Sequence, residues 1–332
     1  MTSQTKRVVS FVSSQGGLGR SMALANVGWA LASSGARVLA VDFNLASPSL
    51  HRYFGPFLDD AKLLSTAGLI DAALEFSTRA LESPASRKER FFDGNTGYGI
   101  PLDWDFPGGG CLDLLPAGRQ STSYAESVLG FAWRPFLRGA GGDFIAQLLA
   151  WMRSEYDYTL IDAPAGFSET SQLCIEQLPD TLALCFGLSP GSLESAARLA
   201  ERAKRAKPST PPAIFPVPLR VDAAETELYY ERIGKAKHTL PPIAFAWETY
   251  WGEVAVPYTP FYAYHELLAA FSDLPGEHSV LASAGRLASY LAEEPGLAAR
   301  LLTESRYPNA SQRAEIVRKY DLLSTNPPTH NL

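Results

Sequence analysis

The chain has 332 residues, 46% hydrophobic and 19% charged, with a formal net charge of -6 and a pI near 5.5. That balance fits a globular α/β protein and argues against a whole-surface attraction to nucleic acid or anionic lipid. Cys111, Cys174 and Cys185 are odd in number and lack C-x-x-C spacing, so neither a disulfide framework nor a zinc site is expected, which suits a reducing cytoplasm. The start MTSQTKR is polar and no run approaches the ~18–20 apolar residues of a membrane span, so neither a signal peptide nor an anchor is expected.

Arg7 to Ser13 reads as a buried strand and Arg20 to Ser34 as a helix with Leu24, Val27 and Leu31 on its inner face, stopped by Gly35. A tight connection leads to a second apolar run, Arg37 to Asp42, which completes a βαβ unit and implies parallel pairing. Ser83 to Gly110 breaks the rhythm with Gly, Pro, Asp and aromatics and reads as a long loop insertion, of the length that is often functional or mobile, before a strand at Leu112 to Leu115. Further strands are expected at Tyr158 to Asp162, Thr181 to Phe186 and Ala213 to Leu219, with helices at Gly142 to Glu155 and Leu193 to Ala206. The fold class is therefore α/β: a doubly wound, mostly parallel sheet with helices on both faces. Phe245 to Phe271 then holds nine aromatics in 27 residues, and a tail rich in Pro and Asn closes the chain.

The most informative stretch is Val8 to Met22, VVSFVSSQGGLGRSM, where a β-branched run empties into a glycine turn and then into a helix. Closely spaced glycines let backbone N–H groups converge on an anion, and the helix adds the positive end of its dipole. The phosphate-binding pattern G-x-x-x-x-G-K-[ST] is met at Gly19 and Ser21, but Ser14 stands at its first glycine and Arg20 at its lysine. A dinucleotide is the competing ligand, because Gly16 to Asn44 also looks like the opening of a short-chain NAD(P)-dependent reductase. That family's Thr-Gly is Val12-Ser13 here, and no Tyr-x-x-x-Lys pair occurs. A triphosphate site further requires an apolar strand ending in a magnesium-ordering aspartate, which Tyr158 to Asp162 supplies, with Gly166 four residues on to face a γ-phosphate.

With these residues in view, the chain resembles the MinD/ParA group of deviant P-loop ATPases, in the subgroup named for a KGGVGR motif. The resemblance rests on Ser14 to Ser21, on VDFNLASPSLHRYF (41–54), on LDLLPAG (112–118), on LIDAPAGFSETSQLCIEQLPDTLALCF (160–186) and on PYTPFYAYHELLAAF (257–271). It implies a P-loop NTPase-like domain over 1–275, carrying the 83–110 insertion, followed by C-terminal helices and a tail over 276–332. It also implies ATP and Mg2+ as cofactors, a nucleotide-dependent homodimer, and a regulatory switch working with a protein effector. Members of the subgroup occur in bacterial conflict or antiphage gene sets.

The resemblance assigns the cradle to Gly16, Gly17, Leu18, Gly19, Arg20, Ser21, Met22 and Gly166, and the metal to Ser21, Asp42 and Asp162. It places Gln15, Arg20, Asp42 and Asn44 at the catalytic positions. Three of these depart from the group. Gln15 replaces a lysine that reaches the partner's phosphate and keeps no charge; Arg20 replaces the β,γ-phosphate lysine with a planar fork. Asn44 replaces an aspartate and cannot accept a proton. Ala46 and Ser49 also differ from the group, in the same loop. Nucleotide binding with weak or lost hydrolysis is therefore expected, the alternative being an active ATPase that positions cargo on DNA or membrane.

Ser21 can be a helix cap, and the cysteines are small core residues. The basic helix Glu194 to Lys207 (Arg198, Arg202, Lys204, Arg205, Lys207) reads as a solvated face, because Glu194 and Glu201 share it. The Phe245 to Phe271 aromatics serve mainly packing and also suit a protein interface. Ser311 to Leu323 has apolar periodicity but is too short and too acidic for a membrane-targeting helix. The Phe215 to Leu219 segment lacks the Asn expected to read adenine.

Overall fold

The computed structural model describes residues 6–92, 97–222, 224–240, 247–273, 276, 278–304 and 306–325. Seven strands, β1 (Arg7–Val12), β2 (Arg37–Asp42), β3 (Ile100–Pro101), β4 (Cys111–Leu115), β5 (Tyr158–Asp162), β6 (Thr181–Phe186) and β7 (Ala213–Pro218), form one sheet in the order β3-β4-β2-β5-β1-β6-β7. Every pairing is parallel except β3 with β4. Central strands covered on both faces read as unbroken apolar runs, which is why β1, β2, β5 and β6 are buried along nearly their whole length.

The longer helices packed around the sheet are α1 (Arg20–Ser33), α2 (Leu69–Glu82), α3 (Gly141–Glu155), α4 (Glu169–Glu176), α5 (Pro190–Ala206), α6 (Thr226–Thr239), α7 (Trp247–Val254), α8 (Val280–Ala292) and α9 (Ala310–Thr325). α1 is buried on nearly all sides because it lies between the sheet and α8. Gly35, at φ 102°, ends it and turns the chain into β2. The helices that follow residue 276 share the core of the strands: Leu287 of α8 and Ile316 and Tyr320 of α9 belong to the same buried cluster, and the Tyr320 hydroxyl donates to the Tyr53 carbonyl.

Segment 83–110 is anchored through its described residues. Phe91, Phe92, Tyr98, Ile100, Leu102 and Phe106 are buried, and β3 adds a short antiparallel strand to β4. Residues 93–96 lie outside the described set. At the end of the segment Gly110 passes so close to α1 that a Cβ there would stand 2.0 Å from the Ala32 carbonyl oxygen. Trp29 of α1 is the hub of this packing, with ring centroids 4.9 Å from Phe57, 5.5 Å from Trp104, 4.7 Å from Phe106 and 5.0 Å from Phe271.

The C-terminal aromatics divide by burial. Tyr250, Trp251 and Phe271 are in the core, whereas Tyr258, Phe261 and Tyr264 are exposed; Phe245 lies outside the described residues. On the outer edge of β7 the Tyr250 hydroxyl donates to the Pro216 carbonyl at 2.9 Å and the Val256 amide donates to the Pro218 carbonyl at 2.9 Å. Cys174 and Cys185 are buried and Cys111 is partly buried; all three are free thiols. On α5, Arg198 pairs with Glu194 and Lys204 with Glu201 of the same helix, and Arg202 with Glu176 of α4, so three of its basic side chains are paired with acids. Among the described residues no helix is long and apolar enough to cross a membrane.

Candidate functional site

Parallel strands deliver their carboxyl ends to one side of the sheet, and in open α/β sheets that side collects the ligand site. Here the end of β1 leads into the 13–19 loop, the end of β2 carries Asp42 and the end of β5 carries Asp162. Asp42 and Asp162 are direct neighbours in the β2–β5 register. Asp162 is fully buried and Asp42 nearly so.

The glycine loop has the form of an anion cradle. Gly17 (φ 74°) and Gly19 (φ 94°) occupy the left-handed region, where a side chain would be strained. A Cβ on Gly16 or Gly17 would meet nothing within 4 Å, so the loop backbone faces open space. α1 begins at Gly19 with no side-chain cap and no acid in its first turn, leaving its leading N–H groups free to bind an anion. Gly166, at φ 76°, also opens onto free space, on the loop that follows Asp162. The side chains of Leu18 and Met22 are partly buried and pack against the hydrophobic core, so these two positions offer the loop their backbone. Gln15 is exposed on the loop.

Arg20 takes a direction that the motif does not dictate. Its Nε donates to Asp162 Oδ1 at 2.6 Å and its Nη1 donates to Ser13 Oγ at 2.9 Å, and the side chain is only 7% exposed. Ser13 Oγ in turn donates to the Gln15 carbonyl at 2.9 Å, so the guanidinium braces the loop from beneath. Ser21 Oγ donates to the other Asp162 oxygen at 2.5 Å. Both oxygens of Asp162 are thus engaged by the first turn of α1. Burial works against the Arg20 charge, but the attraction and hydrogen bond of Asp162 outweigh it and hold the guanidinium above its ordinary value.

Asp42 organises the segment that follows β2. Its Oδ2 accepts the amides of Ser49 at 2.8 Å and Leu50 at 3.0 Å, and its Oδ1 accepts the amide of Asn44 at 3.2 Å. The side-chain amide of Asn44 closes a turn on the Ser47 carbonyl at 2.7 Å. Burial, and then the charge of Asp162, push the Asp42 carboxyl up to about 7, against the pull of those three amides.

The native carboxyl keeps a proton that the unfolded chain releases near pH 4, so stability from this group falls as pH rises from ~4 to ~7. Asp42→Asn, whose single carbonyl oxygen can still accept the Ser49 and Leu50 amides, is expected to be ~1–2 kcal/mol more stable than the parent at pH 8. The two proteins should converge at pH 4. Urea denaturation at both pH values checks this, and a variant less stable at pH 8 refutes it.

Ser21, Asp42 and Asp162 present only oxygen donors, the chemistry a magnesium ion takes. No group of three or more His, Cys, Asp or Glu assembles a metal cage among the described residues. An ion held mainly by substrate phosphates, with one or two carboxylates, needs no such cage.

One residue outside the sequence-derived site reaches the loop. Arg220, just past β7, donates from Nη1 to the Gly17 carbonyl at 3.2 Å. It lies 203 positions from its acceptor and no local motif marks it.

No family model matches the chain, and no curated protein matches it. Among solved structures the chain is similar to the septum site-determining protein MinD of Pyrococcus horikoshii in complex with Mg-ADP, at 19% identity over 89% of this chain and 99% of that one, with a TM-score of 0.59. It is also similar to the Cyanothece McdA–ATP complex, at 16% identity, 86% and 95% coverage and a TM-score of 0.56. A third similar structure is cobyrinic acid a,c-diamide synthase from Mycobacterium smegmatis with a bound ATP analogue and magnesium, at 17% identity, 92% and 99% coverage and a TM-score of 0.55. At such identities the likeness is one of fold: the α/β architecture of the MinD/ParA P-loop ATPases.

Proposed function

We propose that this chain is an ATP-binding regulatory switch or scaffold of MinD/ParA type with weak or lost hydrolysis, acting as a nucleotide-dependent homodimer with a protein effector. The carrying observation is an open glycine cradle whose own cation is committed elsewhere: Arg20 is buried against Asp162 and Ser13 instead of facing the space above the loop. Backbone amides from Gly16 to Ser21, at the uncapped start of α1, bind the phosphates, and the Gly166 amide approaches from the opposite loop. Ser21, Asp42 and Asp162 hold Mg2+, which when bound neutralises phosphate charge and fixes the oxygens in place.

Hydrolysis needs more than a cradle. Gln15 brings no charge to the transition state, and losing one such stabilising donor costs ~3–4 kcal/mol in comparable sites, a 10²–10³-fold effect. Asn44 cannot take a proton from water, and its amide is occupied by Ser47. The bound state therefore outlasts the chemical step, and a long-lived complex suits a scaffold or a switch released by a partner. The resemblance to the KGGVGR subgroup extends the proposal to a bacterial antiphage setting.

Three measurements test this. Denaturing the purified protein and running the supernatant on an ion-exchange column identifies any retained nucleotide, and added Mg-ATP should raise the melting temperature. Phosphate release is expected at least a hundredfold below the ~10 per second of an ordinary enzyme. Brisk turnover stimulated by DNA or anionic vesicles would instead establish an ATPase that positions cargo. Failure of millimolar ATP to shift the melting temperature would remove the nucleotide altogether.

A further inference from the structure

Arg220 is held in an unusual way for an exposed residue. Its φ of 57° lies in the left-handed region, which bulky side chains rarely enter. Glu293, the other non-glycine residue with positive φ among those described, has an ordinary reason, since it caps the end of α8. Arg220 caps no helix. Its backbone is fixed from both sides: the Leu219 amide donates to Phe186 O at 2.8 Å, the Val221 amide to Val256 O at 3.0 Å, and the Tyr258 amide to Val221 O at 2.8 Å. Left-handed strain sustained by such surroundings concentrates at functional sites.

The side chain is aimed as deliberately as the backbone. Its guanidinium lies 5.1 Å from the centre of the Tyr258 ring and donates to the carbonyl of Gly17, at the open face of the glycine loop. It has no carboxylate partner among the described residues. The loop itself supplies no cation to that face, because Gln15 is neutral and Arg20 is buried beneath it, and α1 contains no other Lys or Arg. A polyphosphate seated over Gly16 and Gly17 would thus meet in Arg220 a guanidinium that already reaches the loop.

We infer that Arg220 contacts the polyphosphate of the bound nucleoside triphosphate, supplying from the end of β7 the charge that the glycine loop lacks. The inference rests on the nucleotide-binding reading above. Tyr258 holds the guanidinium ready, and the planar fork exchanges a single bond to the Gly17 carbonyl for charge-assisted bonds to phosphate oxygens.

The test uses the full chain with Mg-ATP and Mg-free AMP in calorimetric titrations. Arg220→Gly removes the guanidinium while keeping a residue that accepts the left-handed backbone, so the variant should fold with no loss of melting temperature. ATP affinity is expected to fall at least tenfold, AMP affinity to change less than twofold, and Arg220→Lys to recover a large part of the ATP loss. Unchanged ATP affinity in Arg220→Gly overturns the inference. Equal losses for ATP and AMP also overturn it, since they mark a brace for the loop and no phosphate contact. If the parent protein binds neither nucleotide, the nucleotide reading itself has failed, and this inference falls with it.

Discussion

Arg20→Ala is expected to destabilise the protein by about 3–5 kcal/mol, the cost of removing one partner from a buried ion pair and stranding the other. Asp162 is fully buried and Asp42 is its neighbour in the sheet, so without the guanidinium two carboxylates share a desolvated site with no compensating cation. For a protein of this size the loss corresponds to a fall of about 4–7 °C in melting temperature. Pairing Arg20→Met with Asp162→Asn should return more than half of it, because a neutral site needs no counter-charge. Arg20→Lys should fall between parent and alanine variant, since one ammonium cannot reproduce the fork that spans Asp162 and Ser13. A loss below ~2 °C for the alanine variant would mean that the guanidinium is not held there in solution.

Trp29→Ala is the second large effect, expected at about 3–5 kcal/mol from lost packing and the cavity left behind. Trp29 is 1% exposed and touches four aromatic rings drawn from three separate parts of the chain. Trp104 and Phe106 anchor the end of segment 83–110, and Phe271 anchors the C-terminal aromatic region, so one substitution loosens both. The indole N–H has no hydrogen-bond partner among the described residues, so Trp29→Phe should lose only part of the packing, ~1–2 kcal/mol. Urea denaturation measures both, and limited proteolysis should detect new cleavage within 83–110 in the alanine variant. A stability loss under ~1 kcal/mol would show that the cluster tolerates collapse around the gap.

The strands are legible because parallel, doubly covered strands announce themselves as short apolar runs. β2, β5 and β6 match the expected bounds, β1 and β7 end one residue early, and β4 starts one residue early, at Cys111. β3 was not legible: two residues, Ile100 and Pro101, carry no periodicity, and their pairing with β4 comes from tertiary packing of the aromatics around them. At the site, the glycine loop, Asp42 and Asp162 could be read because left-handed turns demand glycine and strand ends carry the acids. The direction of Arg20 could not, because a long side chain chooses its partner only when β5 and Ser13 stand beside it. Arg220 is illegible for a related reason: it lies one position beyond the Phe215 to Leu219 segment, where an amide that reads a base is expected, and only the fold brings it to the loop.

The two outermost strands of the sheet both contain proline, Pro101 in β3 and Pro216 and Pro218 in β7. Proline offers no N–H to an incoming strand, and on β7 the Pro216 and Pro218 carbonyls are already taken by Tyr250 and Val256. Lateral growth of the sheet into a continuous intermolecular ribbon is thereby blocked at both margins. Association of two copies then falls to surfaces other than these two edges, the open mouth of the glycine loop among them.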